Sequence, residues 1–152
     1  MRTMICCWGL FLIQITAFGQ LQETVHQTFT LPDSVEVIAL HINGSYGVES
    51  WPGNVVMSET RISLYNGSDG LLKHMLGTQR YALQSLTGAD SLTIASVVME
   101  KPEINTRQGP VQELVDIRLF LPDAFVKIAE HTWKRKDQTV PEVVRDTIDQ
   151  GQ

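Results

Sequence analysis

The sequence predicts an all-β domain: mainly antiparallel strands forming a short solenoid or an open sandwich, with one short helix near 69–77. Three observations predict it. Alternating, β-branched segments recur along the chain, as in Val35–Ile42, Val55–Leu64, Ser91–Met99 and Val111–Leu121. Turn signals such as Asn43-Gly44, Pro52-Gly53 and Pro122-Asp123 separate these segments. Nowhere do strands and helices alternate in the rhythm of a parallel βαβ protein.

Each element has its own signal. Residues 20–34 are a polar lead-in with room for a short strand at Glu23–Phe29, ended by Pro32-Asp33. Val35–Ile42 reads as a strand, and Asn43-Gly44 predicts a tight hairpin, because a type I′ turn needs φ > 0 at both central positions. Tyr46–Trp51 is the return strand. In Val55–Leu64, Val56, Ser58, Thr60, Ile62 and Leu64 share one face. Leu71, Leu72, Met75 and Leu76 have helical spacing behind Ser68 or Asp69 as N-cap, and Gly77 is a C-terminal stop.

Strands resume at Arg80–Leu86, with Tyr81, Leu83 and Leu86 inward, and at Ser91–Met99. Residues 102–110 read as a loop. Val115, Ile117, Leu119 and Leu121 then line one face of a strand, and Phe125–Ala129 is a further strand. The β domain is expected over 35–131. Residues 132–152 read as a charged tail, with Trp133 beside Lys134-Arg135-Lys136 at a solvated end.

The first nineteen positions read as an address rather than as structure. Arg2 precedes an apolar run, and Ala17-Phe18-Gly19 offers small residues where a signal peptidase cuts. The run is shorter than the roughly 20 residues that cross a bilayer. Cleavage before Gln20 would remove both cysteines, Cys6 and Cys7, leaving neither a disulfide nor a thiolate nucleophile. No stable membrane span is then expected. The 152 residues carry a net charge of -5, which argues against a nucleic-acid partner.

Ile42–Thr60 contains a Gly-rich turn, then Val48-x-x-Trp51-x-Gly53, then Val55-x-Met57-x-x-Thr60. A short helical interruption follows, then Leu92-Thr-Ile94 and the segment Val115-Asp-Ile-Arg-Leu-Phe-Leu-Pro122 leading to Val126-Lys-Ile128. This order resembles the leading portion of a family of exported bacterial β-solenoid proteins described as adhesins, over residues 35–129. The resemblance implies surface recognition in the cell envelope and supplies no catalytic residues.

No catalytic or metal-binding constellation stands out. His26, His41, His74 and His131 are scattered, without metal-ligand spacing. Asn66-Gly-Ser-Asp-Gly70 has too few carboxylates for a calcium loop. No cofactor is expected. Asn43-Gly-Ser45 and Asn66-Gly-Ser68 fit the N-glycosylation acceptor, and also serve as ordinary turns. The expected function is an exported, non-enzymatic interaction module, with Trp51 and Tyr46 as binding anchors for an envelope or surface protein or glycan. The alternative is a periplasmic small-ligand binding protein. An apolar pocket lined from both sheets would favour that alternative, and a long edge without a pocket the first.

Overall fold

The computed structural model describes residues 20–107 and 109–136. The proposed leader and the segment after Lys136 lie outside these residues. Among the described residues there are eleven strands and one helix: β1 (Leu21–Phe29), β2 (Val37–His41), β3 (Tyr46–Trp51), β4 (Val56–Tyr65), α1 (Asp69–Gly77), β5 (Leu83–Thr87), β6 (Ser91–Ser96), β7 (Asn105–Thr106), β8 (Gly109–Pro110), β9 (Gln112–Pro122), β10 (Phe125–Ala129) and β11 (Thr132–Arg135).

The strands form two open sheets. One has the order β1-β4-β9-β3, the other β10-β11-β2-β6-β5, and a small β7-β8 pair stands apart. Antiparallel pairings dominate, with β2–β6 and β3–β9 parallel. Val56, Ile117, Leu119 and Leu121 of the first sheet share one core with Ile38, Leu40, Leu92, Ile94 and Leu83 of the second. The fold is therefore the open sandwich of the two expected arrangements. Each such side chain contributes about 1.5–3 kcal/mol by leaving water.

On β4, the inward face is the one its alternation predicts, with Val56, Ser58, Thr60, Ile62 and Leu64 all buried. Val56 joins the core between the sheets, while Ile62 and Leu64 pack under α1 against Leu72, Met75 and Tyr81. Between the two groups, Ser58 Oγ and Thr60 Oγ1 are buried without a hydrogen-bond partner among the described residues.

The helix matches its expected span. Ser68 Oγ accepts from the Leu71 N–H at 3.2 Å, satisfying one of the free donors of the first turn. Its exit differs from the expected Gly77 stop. Gly77 is the last helical residue, Thr78 caps it, and the left-handed residue is Gln79 (φ 57°).

Several expectations are corrected. The Asn43-Gly44 turn makes no hairpin, because β2 and β3 lie in different sheets. Gly44 does adopt positive φ (101°), but it steers a crossing between layers rather than a return within one. The Asn43 N–H donates to Ser96 Oγ at 2.9 Å, and its side-chain amide donates to the Met99 carbonyl.

The lead-in is mostly a nine-residue strand, β1, paired along its whole length with β4. The strand expected from Arg80 starts only at Leu83, and Leu86 faces out at 55% exposure. Ser91–Met99 stops at Ser96, and the 102–110 loop contains the β7-β8 pair.

The largest correction concerns the charged tail. Thr132–Arg135 is β11, an interior strand between β10 and β2, and Trp133 is buried in the core. Its charged neighbours conceal it in the sequence. Lys134 points away from the core, and the Arg135 guanidinium donates to the Val35 carbonyl at 2.7 Å.

Candidate functional site

The two long sides of the sandwich are built differently. On one, Gln27 of β1 bridges to β5. Its amide donates to the Leu83 carbonyl at 2.9 Å and accepts from the Leu83 N–H at 2.8 Å. A side chain thus replaces a missing ladder rung, and that side is latched.

The opposite side pairs the edge strand β3 with the β10–β11 hairpin. One end is tied by the Tyr46 hydroxyl, which hydrogen-bonds His131 Nδ1. The other end is tied by the Asp123 N–H, which donates to the Trp51 carbonyl at 2.9 Å. Between these ties lies a cleft of about 670 Å³, lined from both sheets.

Alternation places the lining. Tyr46, Val48 and Ser50 fall on one face of β3, and Phe125 and Lys127 on one face of β10. Leu121 and Pro122 close the β9 end, and Trp133 stands behind from β11. The floor is apolar: Val48, Leu121, Phe125 and Trp133. The rim is polar: Ser50, Glu49, Lys127, Glu130 and the Tyr46–His131 pair.

The rim charges are unevenly matched. Glu49 pairs with Arg118 at 3.8 Å, and Glu130 with His131 at 3.8 Å when that ring is protonated. Lys127 makes no ion pair among the described residues, and its ammonium lies 5.6 Å from the centre of the Trp133 ring. Burial, then the Glu130 carboxylate, push the Tyr46 hydroxyl above its usual range. Tyr46 is therefore a neutral hydrogen-bonding group at physiological pH.

Of the two anchors expected from sequence, only Tyr46 reaches the cleft. Trp51 folds over its own turn instead. Its indole N–H donates to the Val55 carbonyl at 3.0 Å, and its ring covers Gly53 so closely that a Cβ there would sit 1.9 Å from a ring carbon. Gly53 is needed for space, not for φ. Trp51 thus lies against its own turn and does not line the cleft.

Sequence reading missed Val48, Phe125, Lys127, His131 and Trp133 as partners in one site. Nothing in their spacing signals it, since the site exists only where two sheet edges face each other.

A second polar cluster lies at the helix end. Arg80 clamps Glu113 with Nε at 3.0 Å and Nη2 at 2.6 Å, while the Tyr81 hydroxyl donates to the same carboxylate at 2.7 Å. Arg80 also donates to the Pro102 carbonyl at 2.8 Å. Arg80, Tyr81 and Glu113 each have partners here, so the cluster reads as a tie between the α1 exit, the 102 loop and β9.

Among the described residues, no group of three or more His, Cys, Asp or Glu could hold a metal ion. Likewise, none of the described helices is long and apolar enough to cross a membrane. Comparison with protein-family models, with curated proteins and with solved structures found no match to this chain.

Proposed function

We propose that this chain is a non-enzymatic binding module of the bacterial cell envelope. In this reading it works after export and takes its ligand in the cleft between β3 and the β10–β11 hairpin. One observation carries the binding reading: a cleft of about 670 Å³ with an apolar floor, a polar rim and walls from both sheets. Ligand sites of this size class combine an apolar lining with a few polar groups that fix orientation. This favours a small ligand over a protein surface as the occupant. The export reading rests on the leader pattern at 1–19.

Two measurements test it. Mass spectrometry of the N-terminus after host fractionation should find a chain starting at Gln20 outside the cytoplasm. A retained Met1 in the cytoplasmic fraction would sink the export reading. Nile red, a neutral apolar dye, should bind the full-length chain with enhanced fluorescence. Val48→Glu should weaken that binding about tenfold, because it places a charge on the apolar floor. Ser50→Glu at the rim should weaken it less, and circular dichroism should show both variants folded. Equal dye binding by the wild type and both folded variants would mean the dye sits elsewhere.

A further inference from the structure

We infer that the cleft selects an amphipathic carboxylate: a ligand with an apolar body lying on Val48, Leu121 and Phe125 and an anionic head at Lys127. This deepens the cleft reading proposed above and rests on it. Three observations carry it together.

First, the rim charges are not equivalent. Glu49 is engaged by Arg118 at 3.8 Å, and Glu130 lies 3.8 Å from His131, an ion pair only when that ring is protonated, whereas Lys127 makes no ion pair among the described residues. An incoming cation would compete with Arg118 for Glu49, and with His131 for Glu130 when that ring is protonated. An incoming anion meets an ammonium that makes no such pair.

Second, the apolar and charged parts are ordered along the site. Phe125 and Lys127 are alternate residues of β10, so they share one face about 7 Å apart. Phe125 belongs to the buried core, and Lys127 stands at the mouth with its ammonium 5.6 Å from the Trp133 ring centre. A head group bound at Lys127 therefore projects its apolar body inward.

Third, the far end offers a hydrogen-bonded hydroxyl and imidazole, Tyr46 and His131, rather than a second Lys or Arg. A monoanion suits this set better than a dianion. A carboxylate matches one ammonium with a charge-assisted hydrogen bond, which is stronger than the bond a hydroxyl can offer.

The test uses dodecanoate, dodecanol and dodecylammonium, each below its aggregation concentration, competing with Nile red on the full-length chain. Dodecanoate should displace the dye about tenfold more effectively than dodecanol, the margin a charge-assisted bond provides. Dodecylammonium should be the weakest of the three. Lys127→Glu, scored against its own Nile red affinity, should lose the preference for dodecanoate and favour dodecylammonium. Lys127→Arg should restore the preference for the anion.

Equal displacement by dodecanoate and dodecanol, with dye binding intact, overturns the carboxylate assignment and leaves the cleft reading standing. Failure of Nile red to bind at all removes the cleft reading itself. An acetylated Val-Thr-Val-Thr-Val peptide that displaces the dye when dodecanoate does not would overturn the assignment in favour of strand addition on the β3 edge.

Discussion

Glu113→Ala is expected to destabilise the fold by about 3 kcal/mol, because it leaves the Arg80 guanidinium in a nearly buried site without its bidentate partner. Their side chains are 10% and 16% exposed, so solvent can replace little of what is lost. The same change orphans the Tyr81 hydroxyl, which donates to Glu113 at 2.7 Å. Glu113→Gln should cost less, since it keeps an acceptor and the shape. Replacing both partners, as in Arg80→Met with Glu113→Leu, should cost less than Glu113→Ala, because no unpaired Arg80 charge remains. Urea unfolding of the four proteins checks this. A Glu113→Ala loss below about 1 kcal/mol would place the cluster among ordinary surface pairs.

The cluster also sets a pH dependence. Burial alone would raise the Glu113 pKa, but hydrogen bonds from Arg80 and Tyr81, together with the charges of Arg80 and Lys101, bring it below its ordinary value. A lowered carboxylate pKa adds stability that is present above the unfolded value, about 4.3, and is lost as pH falls through the folded value. Stability should therefore drop in acid more steeply for the wild type than for Glu113→Gln. Tyr81 acts at the other extreme. Burial and then the Glu113 carboxylate hold its hydroxyl well above the ordinary range. That contribution is complete below about pH 10 and is lost above it, as the unfolded tyrosine ionises first.

What the sequence made legible is what local chemistry alone determines. The inward face of β4 follows from alternation, which puts Val56, Ser58, Thr60, Ile62 and Leu64 on one side, although Ser63 on the other side is buried as well. The helix follows from its cap and its spacing of leucines and Met75. Where two layers could use the same local conformation, the reading failed. Asn43-Gly44 satisfies a hairpin turn, and equally a corner between sheets, and only the partners of β2 and β3 decide between them.

Trp133 was hidden for a different reason. Its strand is short and flanked by lysines and an arginine, so mean hydropathy outweighed one buried aromatic. Tyr46 was found because a Tyr on a short strand stands out. The rest of the cleft was not, because Lys127 and Val48 meet only through the way the two sheets are stacked. Trp51 shows the converse: the residue most suggestive of recognition lies over Gly53 and does not line the cleft.

Two leucines on β9 test the register of the central strand. Leu119 lies opposite Ser58 and Val48, is fully buried, and touches both sheets. Leu119→Ala should cost about 3 kcal/mol, within the range for core Leu→Ala changes, because the sandwich cannot collapse freely around a cavity between two rigid layers. Leu114 is five residues earlier, so it falls on the other face, opposite Ser63 and 60% exposed. Leu114→Ala should change stability by less than about 0.5 kcal/mol. Chemical denaturation of both variants measures the contrast, and unchanged m-values would show that the denatured state is the same. The identical substitution on one strand isolates the facing of the side chain. A one-residue slip of β9 against β4 would exchange the two results, since every side chain would move to the opposite face. Equal losses at both positions would mean that the outer face is also covered, and would point to a partner lying across Leu114 and its neighbours.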